Sequence, residues 1–166
     1  MKASNIIIFG HKGHGKDTAC QYLRDTFKLT SISSSWFACQ KFLYEDLKKK
    51  YGYESIEQCY ADRINKRQEW YEAIRDYNTP DKTLLGRDIF SNYNIYNGIR
   101  DDEEYYALRE AGMVSLAIWV DASDRLEEES INSMKLCKED SDIIISNNLS
   151  EEIFFERLNL LFFKLI

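Results

Sequence analysis

The sequence lacks several features that would mark other classes of protein. It has no excess of basic residues, since 22 Lys and Arg stand against 28 Asp and Glu for a net charge of −6. That balance argues against duplex nucleic acid as the main partner. The four cysteines form no C-x-x-C pair, which favours reduced thiols in a cytoplasmic protein over disulfides or a zinc site.

Long apolar runs are also missing, so we expect no membrane segment. The first apolar run, Ile6–Phe9, is too short for a signal peptide or a membrane span. The stretch Ile153–Ile166 is strongly apolar, but Glu156, Arg157 and Lys164 interrupt it. That pattern is typical of a helix docked on a sheet rather than of a membrane anchor.

No internal repeat or low-complexity linker divides the chain, so its 166 residues predict one domain spanning 1–166. Short apolar segments predict five buried strands, at Asn5–Phe9, Leu29–Ser33, Asn94–Asn97, Leu116–Val120 and Asp142–Ser146. Helical patterns separate them at Gly15–Thr26, Trp36–Lys50, Asp62–Tyr77, Asp81–Ser91, Asp102–Glu110 and Ser150–Leu165. We therefore expect an α/β fold with three layers, a parallel five-stranded sheet with helices on both faces. The entirely helical stretch at about 34–92 is an insertion in that alternation.

The most informative segment follows the first predicted strand. It is Gly10-His11-Lys12-Gly13-His14-Gly15-Lys16-Asp17-Thr18, a G-x-x-x-x-G-K string between a strand and a helical pattern. That context is typical of a phosphate-binding loop, in which glycines let the backbone wrap an anion and the helix N-terminus faces it. Lys16 adds a mobile positive charge for the outer phosphates. Residues 10–18 are therefore the predicted binding site for a nucleoside triphosphate such as ATP.

One position departs from the common motif. Asp17 follows Lys16, where a Ser or Thr hydroxyl commonly binds Mg²⁺. A carboxylate serves that ion directly or through water, because Mg²⁺ favours oxygen ligands, so Asp17 is the candidate metal ligand. Which residue would be a second protein ligand of Mg²⁺ stays open. Asp121 ends an apolar strand, but we assign the place beside the first strand to Asn94–Asn97, where no carboxylate follows directly.

Phosphoryl transfer needs positive charge and two substrates held in line more than covalent help from the protein. The candidate catalytic cations besides Lys16 are Arg63, Arg67, Arg87, Arg100 and Arg125. Arg63 and Arg67 are four apart in one predicted helix and share a face that fits a monophosphate. The alternative is a solvated face, with both arginines paired to Asp62 and Glu69.

The other three arginines flank the third and fourth predicted strands. Arg100 follows the third strand, at the end where ligands of open parallel sheets bind. Arg87 precedes that strand, so its role depends on how its helix folds back. Arg125 follows the fourth strand and suits a short lid over the phosphates, with an ordinary loop charge as the alternative.

Other polar and aromatic residues have two interpretations each. His11 and His14 lie inside the loop, without a third metal ligand nearby, and are taken as loop residues within reach of phosphate. Aromatic residues in the insertion, Trp36, Trp70, Tyr71 and Tyr77, suit either base stacking or core packing, and packing is the commoner use. Ser33–Ser35 suit either a helix cap or a hydrogen bond to a base.

Several segments in order resemble one family, the phage-type deoxynucleoside monophosphate kinases. In that family Lys-Asp commonly stands in the loop as it does at Lys16-Asp17. The other similar segments are Asp62–Tyr71, Gly98-Ile99-Arg100 with Glu103 and Glu104, Ile118–Arg125 and Asp142–Asn148. Gly98 stands where the family often has Asp, which leaves the positioning of a base or metal open there.

The resemblance implies a kinase with a phosphate-binding loop and a helical acceptor-binding insertion. ATP and Mg²⁺ would be its cofactors, and a deoxynucleoside monophosphate (dNMP) would accept the phosphoryl group. It assigns Lys16 and Asp17 to phosphate and Mg²⁺, and Arg63, Arg67, Arg87 and Arg100 to the acceptor side or the transfer. Expected partners are these small molecules, with no nucleic acid and no membrane, and a homodimer stays open. The alternative function is a nucleotide-binding regulatory module or an ATPase that has lost transfer to an acceptor.

Overall fold

The computed structural model describes residues 4–166 and centres on a parallel sheet. Its strands are β1 (Ile6–Phe9), β2 (Ser31–Ser33), β3 (Ile95–Asn97), β4 (Leu116–Asp121) and β5 (Ile143–Ser146). They lie in the order β2-β3-β1-β4-β5, and all neighbouring strands are parallel. The predicted five-stranded parallel sheet is therefore confirmed.

Eight α-helices are formed by the described residues. They are α1 (Lys16–Phe27), α2 (Ser34–Ala38), α3 (Tyr44–Tyr51), α4 (Ile56–Asp62), α5 (Arg67–Tyr77), α6 (Leu84–Phe90), α7 (Asp102–Glu110) and α8 (Glu151–Leu165). None of these helices in residues 4–166 is long and apolar enough to cross a bilayer.

Helices cover both faces of the sheet because alternate strand residues point to opposite sides. On one side, Ile7 and Trp119 belong to a buried cluster that includes Leu85 of α6 and Leu108 of α7. On the other side, Ile6 and Ile8 pack in a second cluster with residues of α1 and α8, among them Leu23, Phe154 and Leu158. The expected three layers are therefore present, and β1 lies buried at their centre.

Two helices that the sequence pattern predicts as continuous are interrupted. The predicted helix Trp36–Lys50 contains a π-helical segment, Cys39–Leu43, between α2 and α3. The predicted helix Asp62–Tyr77 breaks after α4 into a 3₁₀ turn, Arg63–Asn65, before α5 begins. The prediction that Arg63 and Arg67 share one helix is therefore wrong.

Side-chain hydrogen bonds explain the break after α4. Lys66 leaves helical geometry, with φ −130° and ψ 32°. The Asp62 carboxylate accepts a hydrogen bond from Asn65 Nδ2 at 2.8 Å and lies 3.3 Å from Lys66 Nζ. Such local bonds compete with the helical ladder, and short polar side chains favour them at helix ends.

The helical insertion has a small core of its own. Leu43, Leu47, Cys59 and Trp70 are buried together there, with Trp36 packed against them. This cluster explains why most insertion aromatics pack rather than point to solvent. Tyr71 is the contrast, with 43% of its surface exposed.

Polar side chains cap the beginnings of several helices. Ser33 Oγ accepts a hydrogen bond from the Trp36 N–H, and Ser150 Oγ accepts one from the Ile153 N–H. Asp101 caps α7 through the Glu104 N–H, and Gly112 follows α7 with a φ of +67°. These caps satisfy N–H and C=O groups that the first and last helical turns leave unpaired.

Candidate functional site

The predicted phosphate-binding loop connects β1 to α1. Gly10 has a φ of +144°, and a Cβ there would lie 2.5 Å from the Val120 carbonyl oxygen. Gly15 has a φ of +110°, and its Cβ would lie 2.4 Å from Asn147 Nδ2. Both positions therefore require glycine for conformation and for space. Because no side chain caps α1, the first N–H groups of that helix are available to an anion.

Lys16 lies at the start of α1 and faces the loop. Its Nζ donates a hydrogen bond of 2.8 Å to the His11 carbonyl oxygen. Burial, together with the nearby Arg100 guanidinium, lowers the pKa of Lys16 to about 8. An arriving phosphate would relieve that repulsion, because it pairs the charged amine with an opposite charge.

The two histidines of the loop connect it to residues 122–129. His14 is fully buried; its Nδ1 accepts a hydrogen bond from the Ala122 N–H, and its Nε2 lies 2.9 Å from the Glu127 carbonyl oxygen. His11 Nδ1 accepts a hydrogen bond from the Glu129 N–H at 3.0 Å. Both nitrogens of His14 and the Nδ1 of His11 therefore have partners within the protein, and a contact of these two residues with phosphate stays a prediction.

The residues at the ends of the loop and of β3 fit a magnesium ion. Asn97 Nδ2 donates a hydrogen bond of 2.6 Å to the Asp17 carboxylate, while the buried Asn97 Oδ1 has no hydrogen-bond partner in the described part of the chain. These oxygens, with phosphate oxygens and waters, make up the kind of donor set that Mg²⁺ prefers. No group of three or more His, Cys, Asp or Glu suited to a metal occurs among the described residues. The Asp121 carboxylate accepts hydrogen bonds from the Ser123 hydroxyl and from Asn148 Nδ2.

A single cavity of about 920 Å³ extends from the loop into the helical insertion. Lys16 and Asp17 line its loop end, and Arg63 and Arg67 line its insertion end. Arg100, Trp70 and Tyr71 also line this cavity, so it combines guanidinium groups with aromatic surface. Such a lining suits a ligand that carries both a phosphate and a flat ring.

Arg63 and Arg67 reach the same cavity from two different elements. The Arg63 guanidinium stacks 3.8 Å above the Tyr60 ring and donates a hydrogen bond to the Tyr60 carbonyl. Within residues 4–166 neither arginine has an ion-pair partner. The acids expected to pair with them are bound to lysines instead, Asp62 to Lys66 and Glu69 to Lys50. The alternative of a salt-bridged solvated face is therefore not what the structure has.

Arg100 contacts a residue that sequence reasoning missed. Its Nη1 donates to Glu129 Oε1 at 2.7 Å, and Glu129 Oε2 accepts a hydrogen bond from the Lys12 N–H at 2.7 Å. Glu129 lies in an acidic run, Glu127–Glu129, which by itself is typical of a solvated loop. Only the folded chain brings that carboxylate to the phosphate-binding loop.

Arg87 lies outside the cavity lining, so the structure does not bring it together with Arg63 and Arg67. Leu85, Gly86 and Ile89 are the buried residues of α6, and this packing directs Arg87 outwards. Its Nη2 lies 2.7 Å from Asp81 Oδ2 in an exposed ion pair. The helix folds back onto the sheet, but with its apolar face inwards.

Arg125 borders a second, smaller cavity of about 300 Å³ beside the loop. Gly15, Thr18 and Asn147 also line it. Arg125 Nε donates a hydrogen bond of 2.8 Å to the Asn147 carbonyl oxygen. The residue thus lies beside the phosphate-binding loop, on the side opposite to the insertion.

The larger cavity also has a buried carboxyl group. Glu104 is only 5% exposed and accepts a hydrogen bond of 2.8 Å from the Tyr96 hydroxyl. Burial raises the pKa of Glu104 to about 7, against the opposing effect of that hydrogen bond. Asn78 is buried beside it and accepts a hydrogen bond from the Leu85 N–H.

Comparison with known proteins identifies the fold but no family. No protein-family model matches the sequence, and no curated protein matches it. Protein TT1252 from Thermus thermophilus has a similar structure, with a TM-score of 0.54 and 18% identity over 99% of this chain and 100% of that chain. Shikimate kinase from Aquifex aeolicus gives a TM-score of 0.46 with 15% identity, covering 96% of each chain. APS kinase from Mycobacterium tuberculosis gives 0.45 with 11% identity, covering 97% of this chain and 99% of that chain.

The first of these similarities shows a shared fold alone, at an identity of 18%. The loop, its glycines and the uncapped start of α1 lie at the carboxyl end of the central strand. The chain therefore has a five-stranded α/β fold with the predicted phosphate-binding loop at the end of its central strand.

Proposed function

We propose that this protein transfers the γ-phosphoryl group of ATP to a deoxynucleoside monophosphate, giving ADP and a deoxynucleoside diphosphate. The single observation that carries the proposal is the larger cavity. It joins the glycine-rich loop at one end to Arg63 and Arg67 at the other, which have no ion-pair partner within residues 4–166. An enzyme that transfers a phosphoryl group needs two anion sites facing each other across such a space.

ATP would bind with its phosphates on the loop. The loop N–H groups and the start of α1 would hold the inner phosphates, and Lys16 would bind the outer ones. The smaller cavity beside Arg125 lies next to the same loop and offers space for the nucleoside part of ATP. Magnesium would neutralise charge on the phosphates, held by Asp17 and the neighbouring Asn97.

The monophosphate would bind in the insertion half of the cavity. Arg63 and Arg67 would grip its phosphate, since guanidinium groups bind such oxygens in a forked geometry. Tyr71 offers an exposed aromatic face for the base. An oxygen of this acceptor phosphate forms a bond to the γ-phosphorus while the bond from that phosphorus to the β,γ-bridging oxygen breaks. Arg100 would stabilise the charge that develops between the two.

The choice of a deoxynucleotide rests on the resemblance of the loop and of the segment Gly98–Arg100 to phage-type kinases. The second candidate is a nucleotide-binding module that does not transfer phosphate. The observation that favours it is the amide of Asn97 at the end of β3, where the neighbouring strand of a loop-type enzyme offers a carboxylate.

The test is a panel of natural monophosphates, deoxy and ribo, incubated with ATP, Mg²⁺ and the protein. Formation of ADP together with a diphosphate of one or more deoxynucleotides is the expected result. ADP without a new diphosphate would identify an ATPase, and no ADP would favour the regulatory module.

Three variants connect that activity to the site. Lys16→Ala should abolish turnover and leave the fold intact.

Arg63→Ala and Arg67→Ala should each raise the acceptor KM by roughly tenfold or more, because each removes a charged hydrogen-bond donor. Arg87→Ala is the matched control, since it removes an arginine that lies outside the cavity. Equal effects of Arg87→Ala and Arg67→Ala would contradict the assignment.

A further inference from the structure

Glu129 occupies a position that suits the transferred phosphoryl group. Its two carboxylate oxygens bridge the Lys12 N–H of the loop and the Arg100 guanidinium, each over 2.7 Å. A carboxylate accepts hydrogen bonds without donating any, as a phosphoryl group does. The charged groups that meet it, Arg100 directly and Lys16 nearby, are those that the proposed reaction requires for the γ-phosphate.

The carboxylate is held firmly in this place. The Glu129 side chain is only 18% exposed. Burial is the largest single effect and disfavours its charge, but the Arg100 guanidinium, the Lys12 N–H and the Lys16 charge together outweigh it, so the pKa of Glu129 is lowered. The group is therefore an anion at neutral pH, and its bonds to Arg100 and the loop are charge-assisted.

The backbone of Glu129 is fixed separately from its side chain. Its N–H donates to His11 Nδ1, and the preceding segment is attached to His14 through Ala122 and the Glu127 carbonyl. Rotation about the side-chain bonds of Glu129 therefore suffices to remove the carboxylate from the loop. No hydrogen bond of the segment to the two histidines has to break.

We propose that the Glu129 carboxylate is an internal stand-in for the γ-phosphoryl group, which ATP must displace before it can bind productively. This inference rests on the proposed function, and it adds a regulation of the same site. While Glu129 is in place, its carboxylate occupies the Lys12 N–H and the Arg100 guanidinium. Displacement frees Arg100 for the phosphates, so that ATP binding assembles the transfer site.

The test measures ATP binding by calorimetry in the presence of Mg²⁺ and without an acceptor. Glu129→Gln keeps the size of the side chain and removes its charge, so the competition weakens. We expect its Kd for ATP to be roughly tenfold lower than that of the unaltered protein, the size of a lost charged hydrogen bond. Glu128→Gln is the matched control, because Glu128 is exposed and has no hydrogen bond or ion pair in residues 4–166.

Glu129→Asp distinguishes two effects of the carboxylate on ATP binding: its contacts with Lys12 and Arg100, and its long-range charge repulsion of ATP. Aspartate keeps the charge but is one methylene shorter, so it cannot span Lys12 and Arg100 in the same way. The proposal expects tighter ATP binding in this variant as well. An unchanged Kd for Glu129→Asp would overturn it in favour of general repulsion, and weaker binding in Glu129→Gln would overturn it in favour of a direct role in holding ATP.

The proposed function and this inference fail differently. If no form of the protein binds ATP, the proposed function itself is wrong. If the unaltered protein binds ATP and Glu129→Gln binds it no better, only the displacement is wrong. Thermal unfolding of each variant confirms that a change in Kd does not come from a loss of structure.

Discussion

At the scale of single residues, the site depends on groups whose surroundings set their chemistry. Lys16 is partly buried against Arg100, which makes its amine easier to deprotonate than an exposed lysine. Gly10 and Gly15 have backbone angles and neighbours that leave no room for a side chain. His11 and His14 stand in a motif that suggests contact with phosphate, yet their rings accept hydrogen bonds from the backbone of the distant segment 122–129.

The pKa of Lys16 predicts how ATP binding depends on pH. Because that pKa is about 8 in the free protein, the amine is mostly charged at pH 7 and mostly neutral at pH 9. Binding then requires uptake of a proton above pH 8, so the Kd for ATP should rise about tenfold between pH 7 and 9. Lys16→Arg, which stays charged throughout, should give a flat profile; a slope retained in that variant would assign the titration to another group.

Gly15→Ala should destabilise the protein by about 2–3 kcal/mol. The variant combines the cost of a positive φ, about 1–2 kcal/mol, with displacement of Asn147, whose Nδ2 donates to the His14 carbonyl. Gly112→Ala is the control, since Gly112 also has a positive φ but nothing within 4 Å of an added Cβ. Urea unfolding should show the larger loss for Gly15→Ala, and equal losses would contradict the role given to close packing.

At the scale of elements, breaks in the helices place the acceptor residues. A continuous helix would put Arg63 and Arg67 on one face by spacing alone. Instead a 3₁₀ turn separates them, and both still line the larger cavity. Asp62 maintains this turn by binding Tyr53, Asn65 and Lys66.

Asp62→Ala should therefore impair the acceptor side more than the donor side. Loss of these three interactions frees the turn that carries Arg63, so the KM for the monophosphate should rise several-fold while the Kd for ATP stays within twofold. Steady-state kinetics and calorimetry measure the two quantities. Asp76→Ala removes an equal charge from the exposed end of α5 and should leave both unchanged; a matching rise in KM would point to charge alone.

At the scale of the whole molecule, three elements bury one carboxyl group. Glu104 of α7 lies against Tyr96 of β3 and close to Asn78 at the end of α5. Its pKa of about 7 means that folding favours the protonated form. These contacts connect the insertion to the sheet, and they make the free energy of unfolding depend on pH.

The sign of that dependence follows from the two pKa values. In the unfolded chain the carboxyl loses its proton near its ordinary pKa of 4.5, and in the folded protein near 7. The unfolded state therefore binds fewer protons between these values, and the free energy of unfolding should fall by about 3 kcal/mol as pH rises through this window. Glu104→Gln should remove this fall in urea titrations, whereas Glu110→Gln, at the exposed end of α7, should retain it.

Local patterns determined a large part of this protein. The loop at 10–18 is recognisable because its residues act on close neighbours in sequence, and β1 and β4 are recognisable because they are buried on both faces and so are almost continuously apolar. Caps such as Ser150 and Asp101 follow from the same short-range bonding. The alternation of strand and helical patterns along the chain predicts helices on both faces of the sheet. It does not predict where those helices break.

The tertiary structure alone decided which charges meet. Glu129 reaches the loop from 117 residues away in the chain, and nothing in its own neighbourhood marks it out from Glu128. Arg87 and Arg67 look alike as sequence, but the apolar face of α6 turns one outwards while the turn at Asp62 brings the other to the cavity. The physical reason is that local spacing fixes which residues share a face, whereas the partner of that face depends on how distant segments pack.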